Sequence, residues 1–169
     1  MPKINFHSFS GYITSISDYP ESPTENDGCQ KFITIQNNDG MIVNFIAAPT
    51  TYFLHNEKVR VGDFITGYID GDRPVILIYP PQYQALVIFK ESPFERVSVD
   101  YFDENLVSSN GMLQLNISPE TPIHLTNGQT FNKNVAQRNL IVRYGPTTKS
   151  IPALTTPFEI IVYCRDSIT

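Results

Sequence analysis

The sequence predicts an all-β chain built as two tandem small antiparallel β-barrels, residues 1–90 and 91–169. Three observations lead there. Ile, Val, Thr, Tyr and Phe are abundant, and thirteen prolines and nine glycines punctuate them. That is the composition of short strands joined by many turns. Residues 39–54 read DGMIVNFIAAPTTYFL and residues 110–125 read NGMLQLNISPETPIHL. At a constant offset of 71 (111 − 40), Gly40 matches Gly111, Met41 matches Met112, Ile46 matches Ile117, Thr50 matches Thr121 and Leu54 matches Leu125. A repeat of this kind implies internal duplication and constrains the architecture before any local motif is read. Finally, Asp39-Gly40 and Asn110-Gly111 supply the positive φ angles of tight hairpins.

The elements follow in order. Ile4–Ser17 is strand-like, with Gly11 where a strand bends or bulges. Asp18–Gly28 (DYPESPTENDG) holds two prolines and four acids and reads as an irregular loop. Gln30–Gln36 and Met41–Ala47 form the firmest hairpin, because Lys31, Ile33 and Ile35 alternate with Phe32, Thr34 and Gln36. Thr50–Lys58 is short and irregular or helical. Val61-Gly62-Asp63 turns into the strand Phe64–Ile69, and Asp70-Gly71-Asp72 is another turn. Val75–Tyr79 reads as an apolar strand, and Tyr83–Lys90 follows Pro80-Pro81.

The second unit repeats this order with Val97–Leu106, the turn at Ser109–Gly111, Met112–Ile117, the turn at Asn127-Gly128, Asn139–Tyr144 and Glu159–Cys164. On sequence, Asn139–Tyr144 corresponds to Asp63–Tyr68 (144 − 68 = 76). Glu159–Cys164 corresponds to Gln84–Phe89 (159 − 84 = 75), matching Val87 to Val162, with Pro157 in the place of Pro80-Pro81. The drift calls for an insertion within Gly128–Gln137. The acidic loop has no second copy.

Composition narrows function. The 169 residues are 41% hydrophobic and 17% charged, which describes a globular protein. The net charge of −5 is spread along the chain: residues 1–90 carry nine acids and six bases, residues 91–169 eight and six. No basic patch offers a footprint for phosphate, so nucleic acid is an unlikely partner. No apolar run reads as a signal peptide or a membrane span, so the expected location is the cytoplasm, or outside the cell if a leader was removed. Cys29 and Cys164 have no metal-ligand spacing and read as two partly buried free thiols.

His7, His55 and His124 are isolated, and no nucleophile elbow, P-loop or dinucleotide fingerprint occurs. Neither a catalytic site nor a cofactor or metal is expected. Asp70-Gly71-Asp72 and Glu25-Asn26-Asp27 cluster oxygen ligands of the kind calcium takes, but lack the EF-hand pattern. Asn116-Ile117-Ser118 fits a glycosylation sequon inside an expected strand, so chance is the better reading.

Residues 4–90 resemble the OB type of small Greek-key barrel. Ser10-Gly11-Tyr12-Ile13, the Asp39-Gly40 hairpin, and Val61-Gly62-Asp63 leading into Phe64-Ile65-Thr66-Gly67-Tyr68 carry the resemblance. The chain departs from that type in its acidity and in lacking a clear helix between the third and fourth strands. The resemblance implies binding of oligonucleotides, oligosaccharides or proteins across strands two and three and the adjoining loops. Here that face would draw on Phe32, Thr34, Asn44, Phe45 and Tyr68, and in the second unit on Asn116, Arg143 and Tyr144.

The rigid Tyr79-Pro80-Pro81-Gln82-Tyr83 places two tyrosines around a diproline, suited to a protein or sugar contact. Arg73 and Lys149 are candidate polar contacts. The expected ligand-binding set is therefore Phe32, Phe45, Tyr68, Arg73, Tyr79 and Tyr83. The function expected is a non-enzymatic protein-binding or scaffolding module, self-association included. The alternative is a carbohydrate-binding module stacking sugars on Tyr52, Tyr68, Tyr79 and Tyr83. A hydrolase with an unsignalled site and a single-stranded nucleic-acid binder rank below both.

Overall fold

A computed structural model describes residues 2–22, 24 and 27–165. The all-β class holds: thirteen strands and one short 3-10 turn, Leu54–Asn56, make up the regular structure of the described residues. The chain divides into two compact units. The first is Phe6–Glu91, and the second is Ser92–Thr169 together with Met1–Asn5.

In the first unit the strands are β1 (Phe6–Asp18), β2 (Lys31–Gln36), β3 (Ile42–Ala47), β4 (Tyr52–Phe53), β5 (Phe64–Asp70), β6 (Gln82–Gln84) and β7 (Val87–Lys90). Strand β1 pairs antiparallel with β2 and with β5, and its register slips between Ile13 and Ser15. The bulge thus falls beyond Gly11. Gly11 serves another need, since a Cβ there would lie 2.8 Å from the carbonyl of Gln36. Hairpin β2–β3 is antiparallel, with Ile35 opposite Val43. Strand β6 pairs parallel with β3, β7 antiparallel with β5, and β4 parallel with β7.

The ladder order β4-β7-β5-β1-β2-β3-β6 has two ends, and no ladder joins β4 to β6. The expected closed barrel is therefore corrected to an open sheet. One segment, Gln82–Lys90, serves both halves of the order, its start pairing with β3 and its end with β5. Inside lie Ile13, Ile33, Ile35, Val43, Phe45, Ile65 and Ile88.

The second unit contains β8 (Arg96–Phe102), β9 (Leu113–Leu115), β10 (Ile123–Leu125), β11 (Arg138–Tyr144), β12 (Ala153–Thr155) and β13 (Glu159–Val162). Its ladders repeat those of the first. Strand β8 pairs antiparallel with β11 and β11 with β13, while β10 is parallel to β13 and β9 to β12. The counterpart of β2 is reduced to the bridges Phe102–Ser108 and Val107–Gln114. These are a four-stranded and a two-stranded sheet, again not closed. Phe102, Leu113, Leu115, Leu140, Val142, Ile160 and Val162 fill the core. Asn139 is fully buried and holds the chain's start in this unit: its Oδ1 accepts from the Ile4 N–H at 3.1 Å and its Nδ2 donates to the Pro2 carbonyl at 2.9 Å.

Strand faces refine the repeat, because side chains alternate and a one-residue shift moves every one of them to the other face. Core residues Val43 and Phe45 correspond to Leu113 and Leu115 at an offset of 70 (113 − 43), not 71. The offset of 71 holds at the turn, where the amide of Gly40 donates to Asn37 and that of Gly111 to Ser108. After β3, the amide of Thr51 donates to Ala48 and that of Thr121 to Ser118, and each threonine hydroxyl accepts the return bond. Thr121 is thus the counterpart of Thr51 rather than Thr50. In the same way Ile65 corresponds to Leu140 (140 − 65 = 75) and Ile88 to Ile160 (160 − 88 = 72). The match of Val87 to Val162 is overturned because it pairs opposite faces. The proline preceding the closing segment is Pro152, which leads into β12, rather than Pro157.

Candidate binding surface

Strand β5 ends at Asp70, where the backbone turns sharply. Asp70 Oδ1 accepts from the Asp72 N–H at 3.0 Å and the Asp70 carbonyl from the Arg73 N–H at 3.1 Å. One oxygen that calcium would need is therefore engaged in the turn. Residues Glu25 and Asn26 of the other proposed cluster lie outside the described residues. Among the described residues no three His, Cys, Asp or Glu side chains lie close enough together to hold a metal.

Beyond the turn, Val75–Tyr79 has strand composition but joins no ladder, which corrects the expected strand. Prolines 74, 80 and 81 frame it and lack the N–H that a ladder uses. Among the described residues its only backbone bond is from the Ile78 N–H to the Ile76 carbonyl at 3.0 Å. The side chains are 45, 73, 96, 45 and 77% exposed from Val75 to Tyr79, so five successive apolar residues face solvent. Pro81 then returns the chain to the sheet, its carbonyl accepting from the Asn44 N–H at 2.9 Å.

The structure scatters the expected ligand-binding residues. Phe45 is fully buried and is no surface contact. Its ring fills the space above Gly67, where a Cβ would sit 2.5 Å from Phe45 Cζ. Phe32 stacks on Tyr19 with ring centroids 5.5 Å apart. Tyr68 lies between Phe6, edge-on at 6.2 Å, and Phe89, stacked at 6.1 Å. Tyr83 is half-buried and stacked on Phe9 at 5.0 Å. Tyr79 and Arg73 are exposed, and Tyr79 makes no ring contact among the described residues. Of the six, only Arg73 and Tyr79 are exposed, and the apolar run lies between them in the chain. That run was visible in the sequence, but strand composition is the same whether a strand is covered or bare.

Two shallow grooves lie elsewhere on the surface. One, of about 390 Å³, lies between β1 and the β2–β3 hairpin and is lined by Ser8, Phe9, Ser10, Asn37, Asp39 and Phe64. The other, of about 430 Å³, is lined by Asn116, Pro146, Thr148, Leu154 and Thr156. The lining of the first contains no histidine, cysteine or lysine, and that of the second no titratable side chain.

Arg143, read as a possible contact of the second unit, is committed elsewhere. Its Nε donates to Glu159 Oε1 at 2.6 Å and its Nη1 to both Glu95 oxygens at 2.8 Å. Burial works against its charge, but the bonds to Glu95 and Glu159 outweigh that and raise its pKa. His124 Nε2 closes the group at 2.8 Å from Glu159 Oε2.

Cys29 and Cys164 are exposed rather than partly buried. The charge of Asp27, then its hydrogen bond, pushes the Cys29 thiol up, away from a reactive thiolate. Among the described residues no helix is long and apolar enough to cross a membrane. No protein-family model matches the sequence, and no curated protein matches it.

Proposed function

We propose that this chain is a non-enzymatic protein-binding module whose contact surface is Val75–Tyr79. The observation that carries this reading is the exposure of five consecutive apolar side chains in a segment without a ladder partner. Exposed apolar surface of this density marks interaction sites on soluble domains. Tyr79 adds an aromatic anchor of the kind enriched at interfaces. The order of the ladders, with the first strand shared between two neighbours and the last segment reaching the third, favours an OB-type reading of each unit. Acidity disfavours nucleic acid as the ligand, and a cytoplasmic setting belongs to the same proposal.

Carbohydrate binding is the weaker alternative, since Tyr68 and Tyr83 already have ring faces against other aromatics. The test is co-expression of a tagged and an untagged copy, followed by affinity capture and mass spectrometry. Wild type is expected to retain a defined partner that the doubly substituted Ile76→Asp, Leu77→Asp chain loses, with unchanged circular dichroism. Equal recovery by both baits would reject the segment as the contact.

A further inference from the structure

We infer that the occupant of Val75–Tyr79 is the same segment of a second copy, paired antiparallel about a two-fold axis through Leu77. This rests on the docking reading above and deepens it by naming the partner. The sequence Pro74-Val75-Ile76-Leu77-Ile78-Tyr79-Pro80 is nearly symmetric about its centre. In an antiparallel pair centred on Leu77, Leu77 faces its own copy, Ile76 faces Ile78, Val75 faces Tyr79 and Pro74 faces Pro80. Every apolar residue meets an apolar residue, and no charge lies in 74–81. Such self-complementarity is what an isologous two-fold contact requires, and a different partner would place no such demand on the segment.

The backbone fits the same arrangement. Val75, Ile76, Leu77 and Tyr79 have no backbone hydrogen-bond partner for their N–H among the described residues. A strand paired at Leu77 would satisfy the N–H groups of Val75, Leu77 and Tyr79, which share one edge, while those of Ile76 and Ile78 lie on the other, the short Ile78-to-Ile76 bond opening as the segment straightens. Pro74 and Pro80 lie on that outer edge and have no N–H to donate there, which works against a third strand and favours a dimer over continued growth. Two strands of this length bury less than roughly 1,200 Å², the scale of a weak, concentration-dependent contact.

Cross-linking tests the register. Cys29 and Cys164 are first replaced by serine, and single cysteines are introduced as Leu77→Cys, Ile76→Cys, Ile78→Cys and, as an exposed control, Val61→Cys. Directly opposed residues of an antiparallel pair have Cα atoms about 4.5–5.5 Å apart, within reach of a disulfide. Under copper–phenanthroline oxidation, Leu77→Cys is expected to form covalent dimer well above the Val61→Cys level. Ile76→Cys mixed with Ile78→Cys is expected to cross-link more than either alone. Sedimentation of the unmodified protein should show a dimer that grows with concentration and disappears in Leu77→Asp. A strictly monomeric wild type, or Leu77→Cys cross-linking no better than the control, overturns the inference. If Leu77→Asp still abolishes capture of a different protein, the docking reading survives that failure; if it abolishes nothing, both fall.

Discussion

Between Asp70 and Gln82 the first unit runs GDRPVILIYPP, while between Tyr144 and Ala153 the second runs GPTTKSIP. Both connections leave the equivalent strand, β5 or β11, and both enter the closing segment just after a proline. In the second unit the loop satisfies itself: Thr148 Oγ1 accepts from the Leu154 N–H at 2.9 Å and Ser150 Oγ donates to the Pro152 carbonyl at 2.9 Å. In the first, apolar side chains replace those hydroxyls and face solvent. A shared topology thus leaves the chemistry of a connection open, and the first unit is the one that leaves an apolar run bare.

The interiors differ as instructively. Phe45 over Gly67 in the first unit corresponds to Leu115 and Val142 in the second, a large-and-small pair against two of intermediate size. Cores tolerate such exchanges when volume is conserved. The ladder pair Tyr68–Val87 corresponds to Arg143–Glu159. An aromatic stack in one unit stands where the other has a charged network.

These pairs define how the comparison can be broken. The largest loss is expected from Phe45→Ala, about 3–5 kcal/mol of stability from the cavity alone, read as a denaturation midpoint. Gly67→Leu combined with Phe45→Ala should recover part of it, and no recovery would show that the two units do not share a packing scheme. Next, Arg143→Ala leaves the Glu159 side chain, only 9% exposed, without its main cation and is expected to cost about 3 kcal/mol. Transplanting the first unit's solution, Arg143→Tyr with Glu159→Val, should restore most of that loss; a double variant as unstable as the single would contradict the equivalence. The turn glycines are a smaller test. Gly40→Ala and Gly111→Ala each place a Cβ at positive φ, 82° and 74°, and both are expected to cost a similar amount, about 1–2 kcal/mol.

The smallest effect is a pH dependence that Asp100 gives the second unit. Burial raises the Asp100 carboxyl above its ordinary value, although the amides of Tyr101, Asn110 and Ser109 and the charge of Lys3 pull it down. A raised acid binds its proton more tightly in the folded state. The fold therefore loses stability as pH rises from the unfolded through the folded value, and stays lower above it. Asp100→Asn keeps an oxygen acceptor and is expected to flatten this part of the stability profile, with equal or greater stability at neutral pH. A steeper profile in the variant would refute the assignment.

Much of the fold was legible because its longer strands carry β-branched residues in alternation. Lys31–Gln36, Phe64–Asp70 and Arg138–Tyr144 are recognisable without any partner in view. Strands β10 and β12 were not, since three residues such as Ile123–Leu125 or Ala153–Thr155 have no pattern of their own and exist only through a parallel neighbour distant in the chain. The repeat was visible at its turns, yet the sequence alignment ran one residue out of step along β3. Identities such as Ile46 and Ile117 do not record which face a side chain occupies. Of the expected contacts, Phe45 failed because an apolar strand residue reads the same on either face.

By itself, the sequence determined the all-β class, the many turns, the repeated order of strands and the lack of a basic footprint. These follow from local backbone preference and summed charge, which need no knowledge of neighbours. Tertiary structure decided which strand-like segments acquired partners, which aromatic rings were consumed by packing, and that Val75–Tyr79 remained bare. Those outcomes depend on hydrogen bonds and burial between residues far apart in the chain, which no local pattern encodes.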